Sequence, residues 1–219
     1  MLQETKCSKQ KLQIFIRKCW KNAQAVAVDV KGTAGGMALI WDPNLMIMDG
    51  FISSIHTLSG SFRIIGTNQT WVITNVYGPQ QIDQKLSFIN HLEWMQNNIP
   101  SPNWIIGGDF NIITSLEEKK GGIRKLDRDI PAFKLMTRNC KLADIHTTNG
   151  IYTWNNRRGG TNQVACRLDR FHISYALLQI HLNLSATILP TMGSEHWSVC
   201  LIIDVEGMHN RRPFRFKKF

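Results

Sequence analysis

Acidic side chains are scarce in this chain of 219 residues: 16 Asp and Glu stand against 26 Lys and Arg, a net charge of +10. Such an excess argues against a basic partner and favours a polyanion, nucleic acid first and a membrane surface second. Cysteine is sparse and poorly placed for cross-linking. Cys7, Cys19, Cys140, Cys166 and Cys200 are odd in number and contain no CxxC spacing, which excludes a disulfide framework and a zinc ribbon and leaves free thiols in a reducing compartment. Long apolar runs are absent too. The longest, such as "VCLII", fall far short of the roughly 20 residues that cross a bilayer, and "MLQETKCSKQK" has no apolar core of a secretory signal. These features predict a soluble intracellular protein, nuclear or cytoplasmic, with no membrane partner. Repeats and low-complexity linkers are also missing.

What is present is enough apolar residue for a sizeable core, 43% of the chain, arranged as short strands between Gly, Pro, Asn and Asp turns. The strand segments are "AVAVDV", "GGMALIW", "FRIIGT", "WVITNVYG", "WIIGG", "CRLDRFHIS", "LSATIL" and "SVCLIIDV". Helical spacing appears in three places. Residues 8–20 carry an apolar stripe of Leu12, Phe15, Ile16 and Cys19; residues 83–97 carry Leu86, Ile89, Leu92 and Met95; Asp129 and Pro131 open a helix with Phe133, Met136 and Cys140 inward. Strands outnumber helices without strict alternation, so two packed sheets with helices outside fit better than a doubly wound sheet. The ending "RRPFRFKKF" has five positive charges and three phenylalanines. It reads as a linker or the start of a further segment, which puts the domain at 1–206 and a basic tail at 207–219.

Five segments can carry chemistry. In "NWIIGGDFNII", alternation along an extended backbone puts Asp109 and Asn111 on one face and Phe110 in the core. A carboxylate and a carboxamide at a strand end can hold a water and a phosphoryl oxygen, although Asp and Asn are also the usual turn residues. "NVYGPQ" places Tyr77 at the end of another strand. In "CRLDRFHIS", Asp169 lies between Arg167 and Arg170; it is either an ion-paired structural acid or a carboxylate that orients a histidine. "SEHWS" supplies that histidine, His196, with Glu195 before it, and "LQETK" supplies Glu4.

The order "LQETK … NVYGP … GGDFN … RLDR … SEHWS" resembles the endonuclease/exonuclease/phosphatase superfamily, most of all the endonuclease domain of plant LINE-type (non-LTR) retrotransposons. "GGMALIW", "EEKKGG", "IYTWNNRR" and "RPFRFKKF" are similar to segments of that subfamily. The resemblance implies an α/β fold, a four-layer α-β-β-α sandwich like that of deoxyribonuclease, and a Mg²⁺- or Mn²⁺-dependent DNA endonuclease. It implies Glu4 and Glu195 as metal-side acids, Asp109 and Asn111 acting on the attacking water, and Tyr77 at the scissile phosphate. His196, oriented by Asp169, is implied as general base or transition-state stabiliser. Asn155, Arg157 and Arg158, in the loop "WNNRRGGTNQ", are placed beside DNA, where arginines give salt-dependent affinity. A reverse transcriptase domain on the same ancestral polyprotein is a further implication. A hard cation and a base near neutral pKa are what phosphodiester hydrolysis requires.

Two departures accompany the likeness. The family's first strand, with an asparagine, precedes the metal-binding glutamate, whereas only three residues precede Glu4. That strand is therefore expected to be missing, leaving unpaired backbone edges beside the site. Glu195 stands where the family has aspartate and Trp197 follows the histidine; a carboxylate displaced by about 1 Å can cost roughly 100-fold in rate. Impaired turnover is the expectation, with Glu195→Asp restoring activity. The alternatives are a degenerate remnant that binds nucleic acid without cutting, and a phosphatase of the superfamily acting on a small phosphoester.

Overall fold

A computed structural model describes residues 1–29, 35–123, 125, 128–180, 182–191 and 193–205. The basic tail read at 207–219 lies outside them. In chain order the elements are β1 (Leu2–Gln3), α1 (Lys9–Cys19), β2 (Gln24–Val28), β3 (Met37–Trp41), β4 (Met46–Ser53), β5 (Thr57–Ile64) and β6 (Thr70–Tyr77). There follow α2 (Ile82–Gln96), β7 (Trp104–Asp109), β8 (Lys119–Lys120), α3 (Ile130–Asn139), β9 (Leu142–Ile145) and β10 (Trp154–Asn155). The last are β11 (Ala165–Cys166), β12 (Asp169–Ser174), α4 (Tyr175–Leu178), β13 (Leu182–Leu189) and β14 (Ser198–Val205).

Four layers result. A six-stranded sheet, β4-β5-β6-β7-β12-β9, forms the second layer, antiparallel except for the parallel β6–β7 pair. One face is covered by α2 and α3, whose Phe88, Ile89, Leu92, Phe133 and Met136 pack with Val72, Val76, Trp104 and Ile106 of the sheet. The other face meets a third layer of two separate pieces, β1-β3-β2 and the β13–β14 hairpin. Alternation in β3 explains how that layer is sandwiched. Met37, Leu39 and Trp41 pack inward with Leu58 and Phe62, while Ala38 joins Leu12 and Ile16 of α1 on the outside. The α-β-β-α sandwich expected from the sequence is the observed architecture.

Periodicity misplaced some side chains. On α1 only Leu12 and Ile16 are buried, whereas Phe15 is 61% exposed and Cys19 is also exposed. On α2 the buried face is Lys85, Phe88, Ile89, Leu92 and Met95, and Leu86 turns to solvent. Both corrections follow from the narrow contact a helix makes with a flat sheet, which reads only part of a stripe. Ser8 caps α1 by accepting from the Lys11 N–H, whereas Asp129 ahead of α3 makes no such side-chain bond. "CRLDRFHIS" is not one strand: β11 and β12 are separated at Arg167–Leu168. β4 and β9 escaped the sequence reading. β4 is an edge strand with a bulge between Met48 and Gly50 and mostly exposed residues, so it lacks the burial contrast that makes alternation visible.

Behind the sheet edge lies a buried ion cluster. The Arg167 and Arg170 guanidinium groups both donate to Glu118 and Asp144, and Arg170 also reaches the carbonyls of Ile112 and Arg167. Burial would raise the Asp144 carboxyl, but the hydrogen bond from Arg167 and the surrounding positive charge hold it well below the usual carboxylate range. The arginines flanking Asp169 thus pair elsewhere and leave that acid free for another partner.

Candidate active site

Three of the candidate side chains share one rung of the six-stranded sheet. Tyr77 on β6 is in register with Asp109 on β7, and Asp109 with Asp169 on β12. Residues directly opposite in a sheet project to the same side, so strand pairing alone gathers groups 32 and 60 residues from Asp109 along the chain. The glycines before Asp109 permit a close approach of backbones: Gly108 has φ +134°, and a Cβ there would stand 2.2 Å from the Val76 carbonyl oxygen.

Asp109 and Asn111 come together differently from the expectation. β7 ends at Asp109, and Asn111 takes a left-handed backbone, φ +51°, so the pair is formed by a turn and not by the pleat. Asn111 donates from its backbone N–H (2.9 Å) and its carboxamide (3.0 Å) to the two oxygens of Asp109, and from the carboxamide to the Gly78 carbonyl at 2.9 Å. Phe110 is fully buried between Phe88, Phe133 and His172, as its position predicts.

The third layer lowers the remaining groups onto this rung. Tyr77 donates its hydroxyl proton to Glu4 Oε1, and Lys6 stands 3.4 Å from Glu4 Oε2. The tyrosine bond holds the Glu4 carboxyl below its ordinary range, with Lys6 adding to the effect, while burial and Glu4 push the Tyr77 hydroxyl upward. His196 Nδ1 lies 2.9 Å from Asp169 Oδ2, and its Nε2 lies 3.9 Å from Asp109 Oδ2. Burial alone would lower the imidazole, but the Asp169 hydrogen bond and charge outweigh it, and the net shift is upward. Asp109 is pushed up to about 7, first by burial and then by the nearby Asp169 carboxylate. Glu4, Tyr77, Asp109, Asp169 and His196 all line one cavity of about 660 Å³.

The other expected residues sit apart from these. Glu195 is exposed and outside the cavity lining; its backbone carbonyl accepts from the Asn155 N–H at 3.0 Å. Trp197, by contrast, lines the cavity. Asn155 turns its side chain onto its own loop, accepting from the Arg157 N–H at 2.7 Å. The Arg157 guanidinium donates to the Ser194 carbonyl, two residues before His196, and Arg158 is exposed at the loop.

Two buried residues that carry the site were not read from the sequence. Asn75, on the same face of β6 as Tyr77, donates to the carbonyls of Leu2 and Ala38 and accepts from Gln3, so it pins β1 and with it Glu4. Thr153 accepts from the N–H groups of Leu168 and Asp169 through its hydroxyl, while its carbonyl accepts from Trp197. Thr153 therefore ties the segment of Asp169 to that of His196. Period-two spacing in "TNVYG" could have exposed Asn75; nothing local marks Thr153.

The donor set suits a hard divalent cation. Asp109, Asp169 and His196 offer ligand atoms within 4.8 Å of one another; the Asp169–His196 hydrogen bond engages two of the three with each other, which leaves Asp109, with Glu4 in the same cavity, as the carboxylates open to a cation. Burial and the Asp169 carboxylate disfavour the ionised form of Asp109, and a bound cation is what would relieve that crowding of acids.

No family model matches the chain, and no curated protein matches it. Solved structures do. The endonuclease domain of TRAS1, a telomere-specific non-LTR retrotransposon, is similar with a TM-score of 0.60 at 14% identity, covering 90% of this chain and 91% of that one. An endonuclease/exonuclease/phosphatase family protein from Bacteroides thetaiotaomicron gives 0.61 at 13% identity over 93% and 81%. D. rerio TDP2 complexed with a single-strand DNA product gives 0.59 at 12% identity over 91% and 83%. Across about nine-tenths of its length, this chain has the fold of the endonuclease/exonuclease/phosphatase proteins.

Proposed function

We propose that the chain is a metal-dependent phosphodiesterase of retrotransposon origin that nicks DNA. The observation that carries this reading is the convergence of Tyr77, Asp109 and Asp169 on one rung with Glu4 and His196 lowered from the second sheet. Glu4 and Asp109 would hold Mg²⁺ or Mn²⁺, which when bound neutralises charge developing on the phosphoryl group. Asp169 accepts the Nδ1 proton of His196, which fixes the tautomer and leaves Nε2 toward the cavity as a base for water or a donor to the phosphoryl oxygen. Asn111 holds the Asp109 carboxylate in one orientation, so that acid needs no reorganisation as charge builds. Tyr77 fixes Glu4 through its hydroxyl.

DNA is favoured as substrate by the net charge of +10 and by the exposed Arg158 on a loop joined to the site through Arg157 and Ser194. TRAS1 and the DNA complex of TDP2 support the same substrate class. A supercoiled-plasmid nicking assay with Mg²⁺ or Mn²⁺ tests the proposal, with Asp109→Ala and His196→Ala as controls. Metal-dependent nicking confined to the unaltered chain is expected. Equal background nicking by all three overturns it, and salt-sensitive DNA binding without nicking identifies a non-cutting binder instead.

A further inference from the structure

The ladder between β5 and β6 ends on a pair that the backbone alone does not complete. Thr57 is opposite Val76, so His56 is opposite Tyr77. The His56 carbonyl accepts from the Tyr77 N–H at 2.9 Å, which marks the kind of antiparallel pair in which both residues normally exchange N–H···O bonds. The main chain does not supply the return bond, because the His56 N–H turns to Ser54 Oγ at 3.2 Å. The imidazole replaces it: His56 Nδ1 lies 2.9 Å from the Tyr77 carbonyl oxygen. A carbonyl oxygen only accepts, so Nδ1 carries the proton. One residue thus holds both backbone groups of Tyr77.

The turn that presents His56 is itself locked. Ser54 donates its N–H to the Thr57 carbonyl at 2.8 Å, and its hydroxyl accepts from the N–H groups of His56 and Thr57. With both lone pairs engaged, Ser54 gives its own proton to Thr57 Oγ1 at 2.8 Å. The buried Thr57 hydroxyl then donates to His91 Nε2 of α2 at 3.1 Å. That direction needs His91 unprotonated at Nε2, in keeping with the downward shift that burial, and then the nearby His56, give its imidazole. The His56 ring also stands edge-on to Phe88 of α2, with centroids 5.7 Å apart. Helix α2 therefore backs the ring and the turn together.

Beyond this pair lies the active site. Tyr77 is the last residue of β6, and the next, Gly78, donates to the Asp109 carbonyl at 2.7 Å and accepts from the Asn111 carboxamide. The Tyr77 hydroxyl holds Glu4. We propose that His56 is a positioning residue of this site, whose ring N–H completes the ladder at Tyr77 and so sets the tyrosine hydroxyl against Glu4. Its effect on turnover rests on the phosphodiesterase reading; its effect on the Tyr77–Glu4 bond does not.

A pair of substitutions separates positioning from packing. The amide nitrogen of asparagine is as many bonds from Cβ as Nδ1 of histidine, so His56→Asn keeps a donor in place but loses most of the contact with Phe88. His56→Leu keeps apolar bulk beside Phe88 and loses the donor. The full 219-residue chain, labelled with fluorotyrosine, is read by fluorine NMR, with the Tyr77 resonance identified through Tyr77→Phe. His56→Leu should move that resonance toward the position of free fluorotyrosine and leave those of Tyr152 and Tyr175 in place. His56→Asn should leave all of them in place. In plasmid nicking, His56→Leu should lower kcat at least roughly tenfold at unchanged KM, because misplacing a group by about 1 Å can cost roughly 100-fold. His56→Asn should stay within about twofold of the unaltered chain. His56→Gln, whose amide lies one bond further out, should follow His56→Leu and replaces it if circular dichroism shows the leucine variant unfolded. The proposal is overturned if the Tyr77 resonance stays in place without the donor, or if His56→Asn shifts it as far, which would make the ring a packing element only. Absence of nicking by the unaltered chain overturns the phosphodiesterase reading alone, and the resonances still decide the role of His56.

Discussion

His196 Nδ1 lies 2.9 Å from the Asp169 carboxylate although the two residues belong to different layers of the sandwich. Thr153 closes the link from below, bonding the backbone of Asp169 with its hydroxyl and that of Trp197 with its carbonyl. This pairing leaves the second imidazole nitrogen toward the cavity and sets the first prediction.

Asp169→Asn keeps the size of the side chain but removes the charge that holds the imidazole proton. Nicking should fall by roughly 10²-fold or more, the ordinary worth of a positioned acid–base group. The His196 pKa, raised in the unaltered chain by that partner, should move down. Plasmid nicking rates and an NMR titration of the imidazole check the two effects separately. An unchanged titration would show that the pair does not form in solution.

Asp109 determines a pH dependence of opposite sign to that of a salt-bridged acid. Its folded-state carboxyl lies at about 7, whereas in the unfolded chain it lies near 3.8. Across that window the folded chain binds more protons than the unfolded one, so stability falls as pH rises from about 4 to 7. Asp109→Asn removes the penalty, so in EDTA its Tm should match the unaltered chain near pH 4 and exceed it at pH 8. The difference should be a few kcal/mol at most, because one pKa unit is worth about 1.4 kcal/mol. Adding millimolar Mg²⁺ at pH 8 should raise Tm for the unaltered chain and much less for Asp109→Asn. A lower Tm for Asp109→Asn at pH 8 in EDTA would contradict this account.

Glu195→Asp was expected to restore a misplaced metal ligand. The exposed position of Glu195, outside the cavity lining, changes that expectation. Both Glu195→Asp and Glu195→Ala should leave nicking within about twofold and stability within about 0.5 kcal/mol, as at other surface sites. Nicking rates for the two variants, measured beside Glu4→Gln, check it; only the Glu4 change should be severe.

Arg170→Leu leaves the buried Glu118 and the half-buried Asp144 with half of their positive charge. Removing one member of a buried ion pair typically costs about 3–5 kcal/mol, and urea unfolding should show a loss of that order. The loop from Ile112 to Glu118 should loosen with it, since Arg170 donates to the Ile112 carbonyl and Glu118 accepts from the Thr114 N–H at 2.5 Å.

Arg157 and Arg158 should separate in a salt titration. Arg158→Ala should reduce the slope of log affinity against log salt by about 1 with little change in the rate of bound complex. Arg157→Ala should lower that rate as well, because its guanidinium holds the Ser194 carbonyl beside His196. Fluorescence anisotropy on a short duplex, followed by single-turnover nicking, distinguishes them.

Reading the chain in one dimension singled out Glu4, Tyr77, Asp109, Asp169 and His196 as candidates by residue type at strand-end turns and by the order of motifs that carries the resemblance, and the structure brings these five around one cavity. The same reading could not see β4, whose edge position removes the burial contrast, nor the exposed faces of α1 and α2, which depend on what the helices rest upon. Glu195 and His196 are adjacent in sequence, yet only His196 enters the cavity. By itself the sequence determined the residue types, their order along the chain, the strand-rich α/β class and the basic charge. The tertiary structure alone decided which groups meet. The register of β6, β7 and β12 sets Tyr77, Asp109 and Asp169 on one rung, and hydrogen bonds from Asn75 and Thr153, distant in sequence, hold the third layer's groups above it. Register is a property of paired strands, and no single stretch of chain contains it.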